Sequence, residues 1–181
     1  MSCVMGLDLS LSSSGVVVLG LDGQLLHHTS IITKTRGMER LWYIRSQVAD
    51  ICTKHRPCLI AIEGYNRGAR NGREEAGELA GIIKLMLFRN NVPYITPSPM
   101  QNKKFATGTG KAEKNQVMLA VFKRWGFSAN TDDEADGFSL AVIALTIETK
   151  REPENATQRE VIEAILNPPS KKKVASRKCL S

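Results

Sequence analysis

CVMGLDLSLSSSGVVVLGLDGQLLHHTSII, residues 3–32, opens the chain as a run of strands. Cys3 to Leu9 reads as a short buried strand, Ser10 to Gly15 as a polar turn, and Val16 to Leu19 as a β-branched run typical of a second strand. Asp22-Gly23 is a hairpin signal, and a third strand follows from Leu25 to Ile32. Together the three predict an antiparallel meander.

Downstream the pattern changes period. Leu41, Ile44, Val48 and Ile51 recur at helical spacing, which predicts an amphipathic helix from Met38 to about Lys54. Cys58 to Glu63 is an apolar run ending in a carboxylate, a buried strand. Asn66 to Arg73 is a Gly/Arg-rich loop, Glu74 to Arg89 is helical, and Pro93 to Thr96 is another strand. Helices are expected over Glu113 to Trp125 and Asp132 to about Thr149. The order βββαβαβα, with one additional helix, implies an α/β fold with a mixed five-stranded sheet and helices on both faces.

Residues 1–150 are expected to form this domain and 151–181 a basic, flexible C-terminal tail. A weak helical pattern at Val161, Ile162 and Ile165 runs into Pro168-Pro169 and then Lys171, Lys172, Lys173, Arg177 and Lys178, with no acidic residue after Glu163. The net charge of +7 points to an anionic partner, nucleic acid before others. No apolar run approaches the ~20 residues of a membrane span, so no membrane partner is expected. The N-terminus shows no signal-peptide pattern, so the cytoplasm is the expected location. Cys3, Cys52, Cys58 and Cys179 form no CxxC pair, and His27, His28 and His55 complete no zinc spacing.

The chemistry is carried by carboxylates. Asp8 sits inside a strand between Leu7 and Leu9, where an aspartate must be paired or bind a cation if it is buried. Glu63 ends the run Leu59-Ile60-Ala61-Ile62, at the carboxyl end of a strand where α/β sheets gather ligands. Each can equally be a loop cap. Asp132-Asp133-Glu134-Ala135-Asp136 opens an apolar helix. Thr131 and Glu134 fit a capping box, and first-turn acids suit the helix dipole, but neither accounts for the face shared by Asp133 and Asp136. Three segments that each supply carboxylates suit a pair of hard divalent cations, the arrangement that hydrolyses phosphodiesters without a serine or histidine nucleophile.

The stretches Gly6-Leu7-Asp8, Ala61-Ile62-Glu63, Gly108-Thr109-Gly110-Lys111-Ala112-Glu113-Lys114-Asn115-Gln116-Val117 and Asp133-Glu134-Ala135-Asp136 occur in an order and at separations that resemble the RuvC family of Holliday junction resolvases. The resemblance covers residues 1 to about 150 and implies an RNase H-like fold. It implies a Mg²⁺-dependent endodeoxyribonuclease, with Mn²⁺ able to substitute and two ions per active site. Asp8, Glu63, Asp133 and Asp136 would be the metal-binding catalytic set, joined by Lys114 in catalysis. The family's conserved lysines would fall on Lys103 and Lys114, and Lys104 and Lys111 are expected DNA contacts beside them. Asp8-Leu9-Ser10 stands where bacterial members usually have Asp-Pro-Gly, and Asn66 where they carry a phenylalanine, with Tyr65 the nearest aromatic for the junction. These departures look closer to a divergent, phage-type member.

Arg67, Arg70 and Arg73 of the basic loop, and Lys171, Lys172 and Lys173 of the tail, are further expected DNA contacts. Paired symmetric cuts in a four-way junction need two active sites, hence a homodimer, with the helix of Leu79, Ile83, Leu85 and Met86 as the expected face. The same residues would serve a broader nuclease acting on flaps and forks, or a DNA-binding module without catalysis. A kinase-like ATPase needs two such halves, more than 181 residues supply.

Overall fold

Strand β1 (Cys3–Asp8) pairs antiparallel with β2 (Ser13–Gly20), which pairs antiparallel with β3 (Leu25–Ile32). The computed structural model describes residues 2–64 and 73–168. On its other side β1 lies parallel to β4 (Leu59–Ile62), and β4 parallel to β5 (Tyr94–Ile95), giving one sheet in the order β3-β2-β1-β4-β5. The meander and both parallel additions match the sequence reading, apart from the start of β2. Ser13, Ser14 and Gly15 were expected in the turn but pair with Ile32, Ile31 and Ser30. The buried Ser14 hydroxyl makes this affordable: it accepts from the Ser10 amide at 3.0 Å and donates to the Ser10 carbonyl at 2.8 Å, closing the turn itself.

The two-residue period of a strand sorts the core. Cys3, Met5 and Leu7 of β1 join Ile60 and Ile62 of β4 on one face, where α1 (Gly37–His55) and α2 (Arg73–Arg89) cover them with Leu41, Ile44, Val48, Leu79, Ile83 and Leu87. Val4, Leu59 and Ala61 face the other way, against α5 (Asp132–Thr149), which is buried around most of its circumference. Helix α4 (Lys114–Trp125) backs α5 with Val117 and Val121. Among the described residues, no helix is long and apolar enough to cross a membrane.

Two helices go beyond the sequence reading. Helix α3 (Pro99–Thr107) starts at a capping box formed by Ser98 and Gln101, with proline at its first position. Helix α6 (Ala156–Leu166) lies within the segment assigned to a flexible tail, yet it is docked: Val161 and Ile162 are buried with Phe105 of α3 and Ile143 of α5. Burying such side chains stabilises by about 1.5–3 kcal/mol each. The folded body therefore runs to Leu166 rather than stopping at 150.

Candidate active site

Alternation places the first two carboxylates. Val4 faces α5, so two and four residues on, Gly6 and Asp8 do too. Leu59 and Ala61 face α5 in β4, and Glu63 continues that row. Val4 is level with Leu59 and Gly6 with Ala61, and the Glu63 amide donates to the Leu7 carbonyl at 2.9 Å, which keeps the end of β4 against β1. Asp8 and Glu63 are thus neighbours across a parallel pair, at the carboxyl ends of both strands.

Glycines bring the third element in. A Cβ on Gly6 would lie 2.0 Å from the Gly137 carbonyl oxygen, and one on Gly15 would lie 1.9 Å from that of Asp133. Gly15 is the direct partner of Asp8 in the β1–β2 ladder. The first turn of α5 can therefore rest on the strand backbones, with Asp133 and Asp136 beside Asp8. From the sequence, Gly6 stood out only as part of a motif and Gly15 fell in a turn. For Gly6 the signal is a glycine inside a strand pattern, which marks close backbone approach.

The electrostatics follow from crowding. Asp8 and Asp136 are each only 8% exposed. Burial first, then the charges of Glu63, Asp136 and Asp133, hold the Asp8 carboxyl well above its ordinary range. Burial and the nearby Glu63 push Asp136 up to about 7, although Lys103 and Lys114 pull the other way. Glu63 is also raised by burial, less so because the neighbouring Asp8 and Asn102 side chains and the charges of Lys103 and Lys114 favour its ionised form.

Lys114, the first residue of α4, forms an ion pair with Asp132, which raises the lysine and lowers the aspartate from their ordinary values. Asp132, set aside in the sequence reading as a dipole acid, thus holds the lysine beside the cluster. Lys103 is near enough to act on both Glu63 and Asp136, whereas Lys104 turns to α6 and pairs with Glu160 at 2.9 Å. Lys111 is exposed in the loop before α4.

The capping box expected at α5 is only half formed. Thr131 accepts from the Glu134 amide at 3.1 Å, but the buried Glu134 carboxylate meets His28 at 3.0 Å, Ser30 at 3.1 Å and the Asn130 amide at 3.2 Å. It ties α5 to β3. Tyr65, Arg67, Arg70, Lys171, Lys172 and Lys173 lie outside the described residues; Arg73 begins α2.

The donor set fits hard divalent cations. It is all carboxylate oxygen, and its members are forced together against mutual repulsion that a cation would relieve. As the side chains stand, no group of three or more His, Cys, Asp or Glu among the described residues converges tightly enough to hold an ion.

One functional neighbour was missed in the sequence. Asn102 of α3 is fully buried and its Nδ2 donates to the Asp136 carbonyl at 3.3 Å and to Asp136 Oδ1 at 3.4 Å. Its spacing to Phe105 and Ala106, the other buried residues of α3, is the signal that could have found it.

A mixed sheet in this order, helices on both faces, and carboxylates at the ends of β1 and β4 and the first turn of α5 define an RNase H-like protein. The chain belongs to the RuvC family: the family pattern described as crossover junction endodeoxyribonuclease RuvC matches residues 4–144. A crossover junction endodeoxyribonuclease RuvC of Pseudothermotoga lettingae is 28% identical over 147 residues, covering 76% of this chain and 90% of that protein. Its counterpart in Rhodopirellula baltica is 30% identical over 150 residues, covering 78% and 84%. The solved structure of Thermus thermophilus RuvC matches with a TM-score of 0.69 at 25% identity, covering 82% of this chain and 96% of that one.

Proposed function

We propose that this chain, a Holliday junction resolving endonuclease of the RuvC family, cuts with divalent cations held by Asp8, Glu63, Asp133 and Asp136. The observation that carries the reading is the meeting of carboxylates from β1, β4 and α5 in one buried cluster. Buried acids that repel one another cost stability, and a cluster kept at that cost is explained by a cation.

Bound there, Mg²⁺ or Mn²⁺ in a pair would supply an activated water and stabilise the leaving oxygen. The chain's own residues do the rest. Asp8 and Glu63 face the cluster from the sheet, and Asp133 and Asp136 from the helix. Lys114, held by Asp132, puts a fixed positive charge at the rim, where a phosphate can be drawn in, and Lys103 adds a second positive charge near Glu63 and Asp136. Lys111, Arg73 at the start of α2, and Tyr65, Arg67, Arg70, Lys171, Lys172 and Lys173 are further residues we assign to the DNA. Lys104, occupied by Glu160, is the weakest of these contacts.

Two opposed cuts need two copies. The expected dimer helix, α2, keeps Leu79, Ile83 and Met86 in the core, so these cannot meet a partner. Leu85 and Phe88 of the same helix remain exposed and are the residues we assign to that contact.

Matched four-way junction, fork, flap and duplex substrates in Mg²⁺ test the reading. Paired symmetric nicks are expected in the junction alone, and Asp8→Asn should bind the junction normally while cutting none of it. Normal cutting by that variant would remove the site assignment; equal cutting of flaps and forks would broaden the substrate.

A further inference from the structure

We propose that Asn102 is a positioning residue: from α3, its buried amide holds the Asp136 carboxylate of α5 in the orientation that cation binding needs. The inference rests on the metal-dependent reading above and adds to it a residue that is itself no cation ligand.

The geometry is specific. Asn102 is fully buried. Its Nδ2 donates to both the main-chain carbonyl and the carboxylate of Asp136. One NH₂ group has two hydrogens, and these two acceptors use both of them. Turning the amide over would aim its oxygen at acceptors, so the orientation is set by the neighbours. The cost is visible: among the described residues, Asn102 Oδ1 has no hydrogen-bond partner. A buried acceptor left unpaired is expensive, and packing alone would be better served by leucine.

A neutral donor also suits the task better than a second cation. Two carboxylates from different elements repel and would swing apart. A lysine in place of Asn102 would hold Asp136 against that repulsion but compete with the divalent ion for its charge, whereas an amide orients the carboxylate and leaves its charge available.

The test uses the full chain with Asn102→Leu, which keeps the volume and removes the donors. Two readouts are followed against Mg²⁺ and Mn²⁺ concentration: the thermal upshift without DNA, and junction cleavage. The expected result is a midpoint about 10–100-fold higher in both curves. The cleavage rate at saturating cation should return to within a few-fold of the parent, with junction affinity without cation unchanged. A wild-type midpoint in both curves overturns the proposal. So does a rate that no cation concentration restores, since that marks a packing defect. If Asn102→Leu does not fold, Asn102→Ser decides: a shift of about 3–10-fold supports the proposal, none overturns it. Asp136→Asn in parallel separates the two levels. If it still cuts, the site reading falls and this inference with it. If it is dead while Asn102→Leu titrates like the parent, only the role of Asn102 is lost.

Discussion

Asp136 titrates far from where an exposed aspartate would, because burial and the charge of Glu63 push its carboxyl from 3.8 up to about 7. An acid raised in the folded state contributes stability that is complete below its unfolded value and is lost as pH rises through its folded value. In chelator, the protein should therefore become less stable from about pH 4 to 7, with Asp8 and Glu63 acting in the same direction. Glu134 runs the other way: its burial is outweighed by bonds from His28, the Asn130 amide and Ser30, so it is lowered, and its contribution is lost as pH falls below the ordinary glutamate range. Asp136→Asn should flatten the loss on the alkaline side and raise the melting temperature in chelator at pH 8 by about 3–8 °C. It should also abolish the upshift caused by Mg²⁺ and end cleavage. Melts at pH 5 and pH 8, with and without Mg²⁺, check this; a variant destabilised at pH 8 would mean that no repulsion is stored there. Asp8, Glu63 and the Asp133/Asp136 pair were legible because a carboxylate in an apolar strand, or one that a cap does not explain, needs a reason. Asn102 was not: an uncharged amide in an unassigned segment violates nothing.

What brings those side chains together is the docking of α5 on β1 and β2, and the contact is backbone on backbone. At Gly15 a Cβ would meet the carbonyl oxygen of Asp133 at 1.9 Å, its carbon at 2.3 Å and the amide of Glu134 at 2.9 Å. None of these atoms is a flexible side-chain end, so helix and strand must separate. Gly15→Ala should lower the melting temperature by about 3–12 °C, the range for overpacking by 1–3 kcal/mol in a protein of this size. It should also weaken cation-dependent stabilisation by moving Asp133 away from Asp8. An alanine variant with the parent's melt and the parent's Mg²⁺ response would count against this contact as the site's organiser. The major elements were readable from different signals: β-branched and apolar runs around the Asp22-Gly23 turn for the meander, a 3.6-residue period for α1, and a long apolar run behind a capped, acidic first turn for α5. Helix α3 is too short for a period to declare itself, and only its cap, Ser98-Pro99 with Gln101, gave notice. Helix α6 was mistaken for tail because its apolar face is narrow and the basic run behind it dominates the composition. Its partner surface, Phe105 and Ile143, exists only once α3 and α5 are folded.

At the scale of the whole molecule, the dimer proposed above for two symmetric cuts needs a surface that two copies share. The outer face of α2 meets the need better than the sequence suggested. Leu85 is 59% and Phe88 74% exposed, and a Cβ added at Gly77 or Gly81 would meet nothing within 4 Å. The four residues follow at helical spacing, so a second copy of the helix can approach closely over the glycines while the two apolar side chains pack at one end. Burying them is worth about 1.5–3 kcal/mol each, on both sides of a two-fold axis. Leu85→Glu with Phe88→Glu should raise the dimer dissociation constant by about 100-fold or more. Neither residue touches the carboxylate cluster. Monomeric variant should thus keep its Mg²⁺-dependent thermal shift while the two junction cuts become uncoupled, with singly nicked product accumulating. Sedimentation across a dilution series and the ratio of single to paired nicks report on the two halves of this claim. A double variant that still sediments as a dimer and still cuts in pairs would move the interface off α2.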